Sequence, residues 1–266
     1  MKRIERFYQI PVLNRKSQPD RPIRLLFLSD FHNDAKGEKL QRLWHQIRKI
    51  RPELILCGGD MLTAKAGLFQ MDSAAELIRH ITKTAPVYAV DGNHEKRLSS
   101  GYSSAYREWK KILADAGVHC VDGERADLQI AGMDLCICGA SLPLECYHRR
   151  RPRPVTDDMK PPMPDETDKT YCILLAHHPD SFETYARWGA DLTLSGHIHG
   201  GIVRLPFLGG VVGATFKPFP RYDRGCFLQD QKIMIVSAGM GNHTIRLRVC
   251  NPAELTVIDL LPNIQE

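Results

Sequence analysis

Apolar residues along this chain fall into two alternating rhythms. Short continuous runs occur at Arg24-Leu-Leu-Phe-Leu-Ser-Asp30, Leu54-Ile-Leu-Cys-Gly-Gly-Asp60, Val87-Tyr-Ala-Val90, Tyr171-Cys-Ile-Leu-Leu-Ala176 and Asp191-Leu-Thr-Leu-Ser195. These have the length and composition of strands buried on both faces. Between them the spacing changes to three and four. Leu40, Leu43, Trp44, Ile47 and Ile50 form one stripe across 38–51, closed by Pro52, and Ala74, Leu77, Ile78 and Ile81 form another. Such stripes predict helices. Further helices are expected over 104–116 and about 181–188, with strands over 4–13, near 118–121 and over 134–140. The last third is more strand-like, with 232–237 and 254–260 the clearest runs. Alternating elements with fully apolar strands predict an α/β fold in which helices cover sheet on both sides.

Composition agrees with one soluble domain over residues 1–266, 43% apolar and 25% charged, with no internal repeat. The segment 145–170 is rich in Pro and charge and reads as an exposed excursion from that domain. No apolar run approaches the ~20 residues of a membrane span. The N-terminus has no apolar stretch of the kind a secretory signal needs, so a cytoplasmic location is expected. The eight cysteines lie mostly inside apolar runs and read as reduced core residues. Cys136-x-Cys138 lacks a CxxC spacing and is expected to pack rather than bind zinc.

The formal charge of +5 is local: residues 1–24 hold seven Lys or Arg against Glu5 and Asp20, and the remainder is balanced. Attraction to an anionic membrane would rest on this arm and on Arg149-Arg150-Arg151-Pro-Arg153. Peripheral contact with the inner membrane face is therefore an option, although solvated loop charge is the simpler reading. No basic groove interleaved with aromatics is evident, and a nucleic-acid partner is not expected.

Candidate chemistry gathers at one kind of address. Asp30-x-His32, Asp60, Asn93-His94, His177 and His197-x-His199 all directly follow an apolar strand. Ligands of open α/β sheets bind beyond the carboxyl ends of strands, so these loops can converge across 170 positions of sequence. In an extended ending, the outer residues of D-x-H or H-x-H project to the same side. Taken alone, Asp-x-His or Gly-Gly-Asp at a strand end is usually a turn. Taken together and in this order, they point to hard nitrogen and oxygen ligands for cations.

The set Asp30-Phe-His32, Gly59-Asp60, Gly92-Asn93-His94-Glu95, His177 and Gly196-His197-Ile198-His199 resembles the calcineurin-like metallophosphoesterase signature. That resemblance implies a four-layer αββα sandwich, two mixed sheets flanked by helices, with a di-metal site on one edge. It implies a first metal held by Asp30, His32 and His199, a second held by Asn93, His177 and His197, and Asp60 bridging them. His94 would face the substrate with Glu95 orienting it. His177 is assigned rather than His178 because it directly ends the strand; His178 would then point the other way.

A phosphodiester repels hydroxide, and two cations neutralise that charge and lower the pKa of bridging water. A ligand set without thiolate suits manganese, with iron or zinc as alternatives. The C-terminal third, with Gly200-Gly201, Phe219-Pro-Arg-Tyr-Asp-Arg-Gly225, Ser237-Ala-Gly-Met-Gly-Asn and Asn251-Pro-Ala-Glu254-Leu, is similar to one bacterial branch of the family. That branch contains membrane-associated phosphodiesterases and UDP-diacylglucosamine pyrophosphatases. Its members usually begin with a hydrophobic segment, which this sequence lacks, so permanent anchoring and export are not expected. Arg246 is the candidate for gripping a second anionic group of the substrate. The resulting expectation is a di-metal phosphodiesterase or pyrophosphatase acting on a small or lipid-linked phosphoester. A nuclease of the same fold is the enzyme alternative, and a non-catalytic metal-binding scaffold the other.

Overall fold

The computed structural model describes residues 3–13, 15–65, 67–148, 151–165, 167–201, 203–205, 209–212, 219–242 and 248–263. The chain opens with β1 (Ile4–Pro11), β2 (Ile23–Leu28), α1 (Glu38–Ile50), β3 (Leu54–Cys57) and a small hairpin of β4 (Thr63–Lys65) and β5 (Leu68–Gln70). It continues through α2 (Asp72–Ile81), β6 (Val87–Ala89), α3 (Asn93–Gly101), α4 (Ser103–Asp115) and β7 (His119–Cys120). The second half runs β8 (Arg125–Ile130), β9 (Met133–Gly139), β10 (Tyr171–Leu175), α5 (Phe182–Trp188) and β11 (Leu192–Ser195). A hairpin of β12 (Val203–Leu205) and β13 (Gly209–Val212) precedes β14 (Gly225–Gln229), β15 (Lys232–Val236) and β16 (Glu254–Leu261).

Two six-stranded mixed sheets result. Sheet 1 has the order β1-β16-β2-β3-β6-β7 and sheet 2 the order β14-β15-β11-β10-β9-β8. Four parallel strands form the middle of sheet 2, bordered by antiparallel β14 and β8. Side chains alternate across each strand, so one strand serves two cores. In β2, Leu25 and Phe27 face sheet 2, where they meet Ile137, Ile173, Leu175 and Leu194. Leu26 and Leu28 face the other way, onto Leu43 and Ile47 of α1, Leu77 and Ile78 of α2 and Trp109 of α4. The outer face of sheet 2 is covered by Tyr185 and Trp188 of α5 and by Cys146, Tyr147 and Val155 of the excursion. The layers are helix, sheet, sheet, helix: the expected αββα sandwich.

The helices at 38–51 and 104–116 fall within a residue or two of their expected ends. Arg51 adopts a left-handed conformation after α1, and Pro52 follows it. The excursion departs from its expected exposure: Cys146 and Tyr147 are buried in the core beneath it, and two short 3-10 turns, Leu144–Tyr147 and Asp157–Met159, punctuate it. Among the described residues, no helix is long and apolar enough to cross a membrane.

Candidate metal centre

Every residue singled out by the strand-end pattern sits on the edge of the sandwich where the parallel strands end. Asp30 and His32 follow β2, Asp60 follows β3, Asn93 and His94 open α3 after β6, His177 follows β10, and His197 and His199 follow β11. The turns that deliver them are tight. Asp30, His32, Asp60, His197 and His199 all have φ between 50° and 69°, a left-handed backbone that non-glycine residues rarely adopt. Glycines make the approach possible: a Cβ on Gly196 would lie 2.3 Å from Asp30 Oδ2, and one on Gly92 2.4 Å from Asp60 Oδ1.

The functional atoms converge. His32 Nε2 lies 3.0 Å from His199 Nε2, and His199 Nε2 lies 3.3 Å from Asp30 Oδ1. Asp60 Oδ2 is 3.3 Å from His177 Nε2, 3.9 Å from His32 Nε2 and 4.0 Å from His94 Nε2. Two groups of metal-ligand type emerge, Asp30 with His32 and His199, and Asp60 with His177 and His197; a third, of His32, Asp60 and His94, overlaps both. Asn93 Oδ1 is buried and, among the described residues, receives no hydrogen bond. An unpaired buried carbonyl costs about 1–3 kcal/mol, a cost that a coordinated cation offsets. Donor chemistry and the orphaned oxygen therefore fit divalent metal ions.

Charge in the pocket makes the same demand. Burial pushes the Asp30 carboxyl up to about 6, with His177 opposing and the charge on Asp60 adding to the rise. Burial would raise Asp60 as well, but His177, His94 and His32 outweigh it and hold that carboxyl well below the usual range. Against its own desolvation, His177 is raised to about 9 by Asp60 and Asp30. A proton on this imidazole stands where the carboxylates require positive charge.

A family model describing the calcineurin-like phosphoesterases matches residues 23–201, which contain all of these groups. The chain belongs to this family. It is similar to phosphodiesterase YaeI of Escherichia coli, 26% identical over 251 residues that cover 90% of this chain and 83% of the relative. It is also similar to UDP-2,3-diacylglucosamine pyrophosphatase LpxG of Chlamydia trachomatis, 28% identical over a gapped alignment of 282 positions that covers 94% of this chain and 77% of that one. The fold is shared with NAD nucleotidase NadN of Haemophilus influenzae, TM-score 0.51 at 14% identity over 82% of this chain. It is shared too with SoxB of Thermus thermophilus, TM-score 0.50 at 14% identity over 91% of this chain. The chain spans 45% and 57% of those two, respectively.

Within this calcineurin-like phosphoesterase, two expected roles change. Glu95 grips backbone rather than His94: Oε2 accepts from the N–H groups of Asp60 (2.8 Å) and Gly92 (2.9 Å), and Oε1 from those of Met61 (2.9 Å) and Leu62 (3.2 Å). It clamps the Asp60 turn onto the start of α3, and the His94 ring is oriented instead by the Ala64 N–H, which donates to Nδ1 at 2.8 Å. His178 does not point away from the site. Its ring lies 5.0 Å from that of His197, and its Nδ1 accepts the Asp180 N–H.

Two further residues belong to the site. Tyr147, from the excursion, packs its ring 5.1 Å from His197, 5.4 Å from His178 and 5.9 Å from His177. Nothing in the Pro- and charge-rich sequence around it signals this. Arg248 donates to the carbonyls of Ala238 (2.8 Å), Gly239 (3.3 Å), His199 (3.4 Å) and Gly241, binding the loop after β15 to the His199 turn. Its Nη2 also lies within hydrogen-bond distance of His199 Nδ1, at 3.3 Å, and shares its two N–H groups among this ring nitrogen and the Gly239 and Gly241 carbonyls. Arg246 lies outside the described residues, as do Arg149 and Arg150.

Proposed function

We propose that this phosphoester hydrolase cleaves a phosphodiester or pyrophosphate bond of a small or lipid-linked substrate with two divalent cations, manganese first among the candidates. Asp30, His32 and His199 would hold one ion, and Asn93, His177 and His197 the other. The observation that carries this is the position of Asp60, whose carboxylate faces imidazoles of both groups within 4.0 Å. Cations bound there would neutralise phosphoryl oxygens and generate a nucleophile from water at neutral pH. A lipid-linked substrate is supported by the similarity to LpxG, which acts on a diacylglucosamine nucleotide by its name.

The protein's own contribution beyond ligation centres on His94. Its Nδ1 accepts the Ala64 N–H, so the neutral ring carries its proton on Nε2, the atom that faces Asp60. Burial lowers the pKa of this ring. Protonating it fully would set an Nδ1–H against the Ala64 N–H. His94 is thus built to donate a hydrogen bond to the leaving oxygen or a phosphoryl oxygen, rather than to surrender its proton. A donor so placed supports catalysis by about 10²–10³-fold.

The test is manganese-dependent hydrolysis of bis-p-nitrophenyl phosphate, followed by a panel of nucleotide sugars and phospholipids. Wild-type activity that vanishes with chelation and in Asp60→Asn is the expected result. A metal-replete protein inert across the panel would overturn the reading.

A further inference from the structure

The outer face of sheet 2 carries a second cluster of ligand atoms, composed of sulfur alone. β9 and β10 run parallel with Cys136 level with Cys172. Cys138, two residues on, returns to the same face. Cys138 Sγ lies 3.9 Å from Cys136 Sγ and 3.7 Å from Cys172 Sγ, and all three sulfurs lie within 4.8 Å of one another. The excursion brings a fourth: Met163 Sδ is 3.9 Å from Cys172 Sγ. Each cysteine is at most 1% exposed. Tetrahedral zinc with bonds of about 2.3 Å requires sulfurs about 3.8 Å apart along each edge.

We propose that Cys136, Cys138 and Cys172, with the Met163 thioether as fourth ligand, bind one zinc-class divalent ion that pins the excursion to sheet 2. Thiolate and thioether donors without oxygen or nitrogen select thiophilic ions and reject the hard ions suited to the histidine site. Burial chooses among the thiophilic ions. Three thiolates leave one net negative charge around a divalent ion but two around a monovalent one, and the larger residual charge costs more in an apolar layer. Binding releases thiol protons to solvent. The Cys138 thiol now reaches the Pro162 carbonyl at 3.3 Å, and coordination exchanges that weak bond for a metal bond.

The site has a structural consequence. Among its described residues the excursion contains 3-10 turns but no longer element, and its sulfur contacts, including Cys146 Sγ to Met159 Sδ at 4.0 Å, line the seam it makes with the sheet. An ion at that seam fixes the loop that also carries Tyr147 against His177 and His197.

Cobalt(II) titration of the anaerobic, chelator-free full chain provides the test. Sulfur coordination gives thiolate-to-cobalt charge-transfer absorption, which the nitrogen- and oxygen-donor site does not produce. We expect one equivalent of this signal per chain, bleached by zinc and retained in Asp60→Asn. It should disappear in Cys136→Ser and Cys172→Ser and persist in Cys226→Ser, whose cysteine is exposed. Absence of the signal from wild-type protein at saturating cobalt overturns the proposal, whether or not any variant folds. Equal zinc content in Asp60→Asn with and without Cys172→Ser also overturns it. Neither result bears on phosphoester hydrolysis, which is measured separately.

Discussion

Sheet 1 delivers the carboxylates of the metal centre, together with His32, Asn93 and His94, and holds the carboxylates with hydrogen-bond donors, whereas the loops of sheet 2 deliver imidazoles alone, His177, His197 and His199, and are held by acceptors and clamps. On the first side, Ser29 Oγ donates to Asp30 at 2.6 Å, the His94 N–H to Asp60 at 2.7 Å, and four backbone N–H groups converge on Glu95. On the second, His177 Nδ1 meets the Gly58 carbonyl at 2.6 Å, and Asn251 Nδ2 donates to the carbonyls of His199 and Gly201 at 2.6 and 2.5 Å. The partners cross between sheets: the His197 N–H reaches Asp30 at 3.1 Å, and Gly58 belongs to the β3 turn. Neither half is complete alone, so the chemistry that assembles the site also locks the sandwich along this edge. The carboxylate half carries the charge, and changes there should cost the most.

Asp60→Asn is the sharpest way to test that asymmetry. Removing the charge shared by both groups should lower turnover of bis-p-nitrophenyl phosphate by roughly 10³-fold or more and reduce the metal content of the purified protein. Unchanged metal content and activity would dissolve the distinction between the halves. Next in size, His94→Ala should lower turnover by about 10²–10³-fold. His94→Gln, which can present an N–H donor, should recover part of that loss. If Gln and Ala are equally inactive, donation of a hydrogen bond is the wrong account of this ring.

The same two halves differ in how far they could be read from sequence. Asp30, Asp60, His177 and His197 are legible because each closes an apolar strand, and a strand end places its residue on one known edge of a sheet. α3 is not, because the residues it buries at its start are Asn93, His94 and Glu95, which leave no apolar stripe. The available signal was Glu95 three residues after Gly92, a capping-box spacing, realised here by the Gly92 N–H on Oε2. The β4–β5 hairpin exposes Leu68 and Phe69 and has no buried-strand pattern, yet it supplies the Ala64 N–H that fixes the His94 tautomer. Strand β8 alternates weakly through Leu128 and Ile130, and only its pairing with β9 defines it. Tyr147 and the meeting of Cys172 with Cys136 depend on loop packing and strand register, which are non-local. Composition described the excursion as polar, but a few of its apolar side chains decide where it sits.

Behind the carboxylate half, Asp91 offers a prediction about stability rather than turnover. It accepts from Lys110 Nζ at 2.8 Å and Tyr106 OH at 2.6 Å, with Lys96 Nζ 3.8 Å away. Burial alone would raise its carboxyl, but Lys110 and Lys96 outweigh it and hold it below its ordinary value of 3.8. Asp91→Asn should cost about 1–3 kcal/mol at neutral pH, measured by urea unfolding, because it removes the charged partner of the half-buried Lys110 ammonium, while Lys96 keeps Asp122 Oδ2 at 2.8 Å. The sign with pH follows. A depressed carboxyl stabilises above its unfolded pKa and loses that contribution as pH falls through the folded value. The gap between wild type and variant should therefore shrink as pH falls below about 4. A gap constant down to pH 2 would show that the ion pair is not its source.

The smallest effect is expected on the imidazole side, at Arg248. Its fork spans the carbonyls of Ala238, Gly239, Gly241 and His199, and a lysine cannot reach all of them at once. Arg248→Lys keeps the positive charge, so it isolates the geometry of the clamp. Each net hydrogen bond lost is worth about 1 kcal/mol, and water can replace part of the rest, so unfolding stability should fall by about 1–2 kcal/mol. Turnover should fall less than in His94→Ala, because the variant loosens the His199 turn without removing a charge or a donor from the pocket. Metal affinity should weaken by about 10–100-fold, as is typical when the residue that orients a ligand is changed. A loss of turnover matching that of Asp60→Asn would mean that the imidazole half carries as much of the function as the carboxylates, and that charge does not rank the two sides of this site.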